Sequence, residues 1–132
     1  MEYNIVKPAH ISATYYRTGV GQILVVKRDP NIDYHDLIQH HDTKLSSEIF
    51  MVTGDFTNDN MQPFQHLIVK KIGDLKNTTP INIEAQYRDV IWVEYNPNID
   101  KYSLLSNDGR VYIVNEVIGA TDYMALHVSE VR

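Results

Sequence analysis

The chain has 132 residues, the length of one domain that can bury roughly two-thirds of its unfolded surface. It contains no Cys, which excludes disulfides, thiolate metal sites and a Cys nucleophile and fits a reducing compartment. Its 12 Lys and Arg stand against 17 Asp and Glu, a net charge of −5. The basic residues are scattered, with Lys27-Arg28 and Lys70-Lys71 as the adjacent pairs. Such a chain is a poor general binder of phosphate backbones.

Nine Tyr and many Asn and Asp point to a β-rich chain. Met1-Glu2-Tyr3-Asn4 lacks the basic-then-apolar order of a signal peptide. No apolar run approaches bilayer length, so no membrane partner is expected. Met1 to Pro8 reads as an extended arm, because Pro8 removes a backbone donor. His10 to Thr18 alternates like one half-buried strand, Gly19-Val20-Gly21 like a turn, and Gln22 to Lys27 like the returning strand of a hairpin. Asp29-Pro30-Asn31 breaks that strand. Ile32, Leu37 and Ile38 could then line a short helix over Asp33 to His41, with Asp33 as its N-cap.

Ser47 to Phe56 reads as a strand, Thr57 to Pro63 as a surface loop, and His66 to Ile72 as another strand. Gly73 to Pro80 reads as a second loop. Ile81 to Arg88 is ambiguous between strand and helix. The last third reads as a meander of four strands: one around Val90-Ile91-Trp92-Val93, one over Tyr102 to Leu105, one over Val111-Tyr112-Ile113-Val114, and a last one around Met124, Leu126 and Val128. Asn107-Asp108-Gly109 is its hairpin signal.

These elements predict a single mainly β domain over 1–132. Seven to nine strands would form a small antiparallel barrel or sandwich, with long loops and at most one or two short helices. The expected core is Ile23, Val25, Phe50, Val52, Ile68, Val90, Trp92, Ile113, Val114, Leu126 and Val128.

Val26 to Leu37 echoes Val93 to Leu104 at a spacing of 67, through Pro30-Asn31-Ile32-Asp33 and Pro97-Asn98-Ile99-Asp100. Recurrent turn chemistry in an Asn/Asp-rich chain is the simpler account, since Pro sets φ and Asn and Asp bond their own backbone. The alternative is a duplicated meander giving a pseudo-symmetric barrel or sandwich.

The one dense polar cluster is Asp33, His35, Asp36, His40, His41 and Asp42. Of these, His35, Asp36, His40 and His41 are the candidate metal ligands, because imidazole and carboxylate suit zinc or iron. Zincin spacing is absent, and adjacent residues point about 100° apart on a helix, so His40 and His41 cannot share one ion there. The cluster therefore reads as a polar helix or loop, and no metal or cofactor is expected.

There is no Gly-x-Ser-x-Gly and no Gly-rich phosphate loop before a helix. Glu48, Glu94 and Glu116 read as solvated carboxylates on strands, and Trp92 and Tyr95 as core and rim. The chain is not expected to be an enzyme; a metal-dependent one would rest on the His/Asp cluster alone.

The runs Val90 to Asp100, Asn107 to Val114 and Tyr123 to Val131 resemble the tail half of the phage head–tail joining proteins, also called head-closure, stopper or connector proteins. That family ends with a strand entering a Pro-x-Ile-Asp turn, a Gly-Arg-x-Tyr-x-Ile hairpin strand, and a last strand finishing in Glu-Val. Here Val114 stands in the final Ile position of the hairpin strand.

The resemblance implies a non-enzymatic structural protein of the bacteriophage virion, assembled in the host cytoplasm. It would be a β-barrel subunit of an oligomeric neck ring between portal or adaptor and tail proteins. DNA would pass through non-specifically, which an acidic wall does not impede. Assembly contacts would then come from Tyr3 and Asn4 in the arm and Asn58, Asp59, Asn60 and Asn77 in the loops. Asp55, Asp59 and Asp74 would face the channel. The alternative is a small phage-borne or intracellular binding module that inhibits a host protein.

Overall fold

The computed structural model describes residues 10–18, 22–57, 60 and 62–131. It is 61% strand and 1% helix, in two curled six-stranded sheets. Twelve strands occur among the described residues, more than the seven to nine expected. The excess comes from the division of His10 to Thr18 into two strands, from Leu37–His40 where a helix was expected, and from the two-residue strand Thr79–Pro80.

The chain divides into two compact units, Met1–Ile72 and Gly73–Arg132. The first holds β1 (His10–Ala13), β2 (Tyr15–Arg17), β3 (Ile23–Lys27), β4 (Leu37–His40), β5 (Glu48–Asp55) and most of β6 (Phe64–Asp74). Their order across the sheet is β1-β4-β5-β6-β3-β2. β1 runs parallel to β4, whereas β2–β3, β3–β6 and β4–β5 are antiparallel. His10 to Thr18 is therefore not one strand. It breaks at Thr14, and its halves pair at opposite edges of the sheet. One intervening residue spans only a few ångströms, so the sheet curls until these edges meet. The Tyr15 ring of β2 accordingly lies 4.8 Å from the His40 ring of β4.

The expected helix over Asp33 to His41 is absent. Turns lead into β4, because the Asp33 N–H donates to the Asp36 carboxylate at 2.8 Å and the Asp36 N–H to the Asp33 carbonyl at 3.2 Å. Asp side chains that bond nearby backbone in this way compete with a helix. Gly19-Val20-Gly21 and the arm Met1 to Pro8 lie outside the described residues.

The second unit holds β7 (Thr79–Pro80), β8 (Ile83–Tyr87), β9 (Val90–Glu94), β10 (Leu104–Asn107), β11 (Arg110–Ala120) and β12 (Tyr123–Val131), ordered β7-β10-β11-β12-β9-β8. Ile81 to Arg88 thus resolves as strand, and the four-strand meander is present as β9 to β12. The expected loop Gly73 to Pro80 shrinks to residues 75–78 between β6 and β7. Asp108 and Gly109 join β10 to β11 with φ of 50° and 75°, the pair of positive φ angles that a two-residue hairpin favours. An added Cβ at Gly109 would meet nothing within 4 Å. Gly109→Ala should therefore cost about 1–2 kcal/mol from the left-handed backbone alone, read as a lower melting temperature with unchanged circular dichroism.

The two units repeat one plan. Adding six to each strand number of the first sheet order gives the second. β7 is parallel to β10, as β1 is to β4. The echo thus reflects a repeated fold, and the account by turn chemistry alone is corrected. The correspondence extends to single hydrogen bonds. Ile32 N–H donates to the Asp29 carbonyl, and Ile99 N–H to that of Asn96. Asn31 N–H reaches the Asp29 carboxylate and Asn98 N–H the Asn96 amide oxygen, each at 2.9 Å. Asp33 N–H reaches Asp36, and Asp100 N–H reaches the Ser103 hydroxyl at 2.9 Å. His35 and Tyr102, also 67 apart, both take positive φ, 69° and 72°. Their N–H groups donate to Val52 and Val114.

Each unit has its own core. In the first, Tyr15, Leu24, Val26, Ile38, Phe50, Val52, Leu67 and Val69 cluster. In the second, Ile91, Val93, Ile99, Leu105, Tyr112, Val114, Met124, Leu126 and Val128 do so. Phe50, Val52, Val114, Leu126 and Val128 fall here as expected, and Ile113 is also fully buried. On β3, β6 and β9 the expected parity is wrong. Leu24 and Val26, Leu67 and Val69, and Ile91 and Val93 point inward. Ile23, Val25, Val90 and Trp92 are only partly buried, and Ile68 is 41% exposed. A run apolar on both parities does not say which parity is the core, and a one-residue shift exchanges the faces.

Candidate functional site

The polar cluster at Asp33 to Asp42 is taken apart by the turns that hold it. Asp36 is fully buried, its carboxylate accepting the Asp33 N–H. His35 is exposed at its positive-φ position. His40 is buried against Tyr15, and its Nδ1 accepts the Asp42 N–H at 2.9 Å. His41 stacks on His40 at 5.6 Å, with its Nδ1 at 3.0 Å from the Thr14 hydroxyl. Buried polar atoms need such partners. Among the described residues, no three His, Asp or Glu side chains converge as metal ligands.

Tyr3, Asn4, Asn58 and Asp59 lie outside the described residues, and Asn60 is exposed. Asn77 is exposed, in a turn where its N–H donates to the Asp74 carbonyl and the Lys76 N–H to the Asp74 carboxylate. Asp55 sits at the end of β5, within the expected strand Ser47 to Phe56. Its carboxylate accepts from the Thr57 N–H and hydroxyl and from the Gln65 amide at 2.9 Å. Burial alone would raise the Asp55 pKa, but those hydrogen bonds and the charge of Arg28 outweigh it and hold the group below its ordinary value.

Glu48 is no lone carboxylate: Arg17 reaches it at 3.0 Å and Lys71 at 3.6 Å, with the Arg17 guanidinium over the Phe50 ring. The pair is half-exposed, so it contributes little to stability.

Three of the surface depressions among the described residues bear on the site. One, of about 360 Å³, is lined by Pro80, Asn82, Glu94, Tyr95, Asn96 and Pro97 in the second unit. A smaller one, about 150 Å³, lies by Ile32, Asp33, Tyr34, Gly54 and Asp55 in the first. Each adjoins its unit's Pro-Asn-Ile-Asp turn. The third is a shallow apolar notch of about 400 Å³ between Glu84, Ala85, Trp92 and Tyr123. Trp92 is thus neither core nor plain rim, which its place in an apolar run concealed.

His10 couples the stability of the first unit to pH, because desolvation by burial lowers its pKa from 6.5. A folded pKa below the unfolded one means that the unfolded chain takes up the proton first. The stability is complete above pH 6.5 and falls as the pH drops below it. Melting temperature should be flat from neutral to mildly alkaline pH and decline below that point. His10→Gln should make the decline shallower.

No family model, no curated protein and no solved structure matches the chain. No helix among the described residues is long and apolar enough to cross a membrane.

Proposed function

We propose that this chain is a non-enzymatic structural subunit of a bacteriophage virion, part of an oligomeric head–tail connector ring through which DNA passes. The observation that carries the reading is where the resemblance falls. Its three runs coincide with β9 and its following turn, the β10–β11 hairpin, and β12. These are neighbours in a single sheet. The likeness therefore follows a contiguous structural piece rather than scattered turns. The polar residues best suited to chemistry are engaged as turn caps, a use that fits a scaffold. Loops and arms would contact portal, adaptor and tail proteins.

The test is cryo-electron imaging of particles. Many copies closing around the channel are expected, and a chain absent from every particle would end the reading. Deleting residues 1–8 should leave melting unchanged and abolish assembly. A second reading, a small binding module that inhibits a host protein, is favoured by the aromatic side chains Tyr34 and Phe56, 64% and 43% exposed. Stoichiometric co-purification with one host protein would select it.

A further inference from the structure

β7 and β8 are the two edges of the second unit's sheet, and only Ile81 and Asn82 lie between them. So short a link holds the two edges together at that point. The depression of about 360 Å³ opens at this seam, beside the end of β9 and the Pro-Asn-Ile-Asp turn. Its volume falls in the range of small-ligand pockets, about 300–1,000 Å³. Buried Val93 and Ile99 and half-buried Ile81 supply its apolar part. Asn82, Glu94, Tyr95 and Asn96 supply its polar part. Tyr95 is 50% exposed. Among the described residues, no hydrogen bond or ion pair engages the side chain of Asn82, Glu94 or Tyr95. The Asn96 amide oxygen accepts the Asn98 N–H at 2.9 Å, which leaves its NH2 group as a donor.

The first unit uses the equivalent positions internally. Ile83 pairs with Val93 as Tyr15 pairs with Val26. Asn82 therefore stands where Thr14 does, and Glu94 and Tyr95 stand where Lys27 and Arg28 do. The Thr14 hydroxyl lies 3.0 Å from the His41 ring nitrogen, and the Arg28 Nε–H donates to the Phe64 carbonyl at 3.2 Å. One frame thus ties these positions down in the first unit and leaves them facing solvent, around a depression, in the second.

We propose that this depression binds a neutral saccharide. Glu94 is the one charged residue among the described residues that line it, and no Lys or Arg does so. Phosphate, sulfate and carboxylate groups would therefore find no counter-charge. A ligand ammonium group would meet a single exposed carboxylate, a contact worth little. A hydroxyl both donates and accepts, so sugar hydroxyls would donate to Glu94 and accept from the Asn82 and Asn96 amides. The C–H face of a pyranose ring would lie on the Tyr95 ring, which is apolar in its body and polar at its tip. A peptide offers one N–H and one C=O per residue, too few in this volume to match all four side chains. The site uses residues of the second unit alone and does not depend on the connector reading.

The test is a glycan array probed with the full chain, followed by calorimetric titration with the glycan bound best. Saturable binding of an uncharged glycan is the expected result. Tyr95→Ala and Asn82→Ala should each weaken it by at least about tenfold, with melting temperature unchanged because both side chains are exposed. Tyr16→Ala, at an exposed tyrosine of the first unit, should leave binding as it was. Failure to bind any uncharged glycan would overturn the proposal. So would binding confined to anionic glycans, or binding indifferent to Tyr95→Ala or Asn82→Ala.

Discussion

Leu24→Ala and Ile91→Ala should each cost about 2–5 kcal/mol, the loss of a buried side chain plus the cavity left behind. Both residues are fully buried, and they occupy equivalent places on β3 and β9. Leu24 faces Leu67 across the ladder, and Ile91 faces Leu126. The neighbours Val25 and Val90 lie on the other face and are only partly buried. Val25→Ala and Val90→Ala should cost well under half as much. Urea titration of the four variants decides the parity. A larger loss at Val25 than at Leu24 would mean that the sheet of the first unit is turned inside out.

Asp36→Ala should destabilise by about 1–3 kcal/mol, because it removes a charge-assisted hydrogen bond from the Asp33 N–H in a part-buried turn. Asp36→Ser should recover much of this. Ser103 performs the same task in the second unit, accepting from Asp100. By the same logic Gln65→Met should keep an acceptor for the Asp29 N–H while losing the Gln65 amide's hydrogen bond to the Asp55 carboxylate. The Asp29 N–H donates to the Gln65 amide oxygen, and the matching Asn96 N–H donates to the Met124 sulfur at 3.3 Å. Ser rescuing no better than Ala would show that the two turns differ in more than their capping atom.

The repeated plan was visible in the sequence only where backbone geometry demands particular residues. Pro, Asn and Asp persist in both copies because each sets a dihedral or a local bond. Core positions differ between the units among Leu, Ile, Val, Phe and Tyr, since a core accepts any apolar side chain of suitable volume. Phe50 and Tyr112, each opposite the second residue of β4 or β10, show how little identity survives. Two loop lengths hid the rest. The β4–β5 connection covers 41–47, where β10–β11 needs only Asp108-Gly109, so the spacing of 67 holds for one stretch and then slips.

The strand content and the C-terminal meander were legible from turn signals and β-branched runs. The parity of β3, β6 and β9 was not, because Ile23 to Val26, Leu67 to Val69 and Val90 to Val93 are apolar at every position. The polar cluster has the composition of a metal site because Asp and His also suit turn caps.

Amide hydrogen exchange tests the repeated plan most directly. The paired units predict matched protection at equivalent positions, whether or not the residues agree. His35 and Tyr102 donate to Val52 and Val114, and Val52 and Val114 donate back to Asp36 and Ser103. Arg28 and Tyr95 donate to Pro63 and Asp122, and Val69 and Val128 to Gln22 and Asp89. Slow exchange at all eight of these amides, His35, Tyr102, Val52, Val114, Arg28, Tyr95, Val69 and Val128, is the predicted result. Rapid exchange at His35, Val52, Arg28 and Val69 with protection of their four counterparts would contradict it, leaving the second unit without a twin.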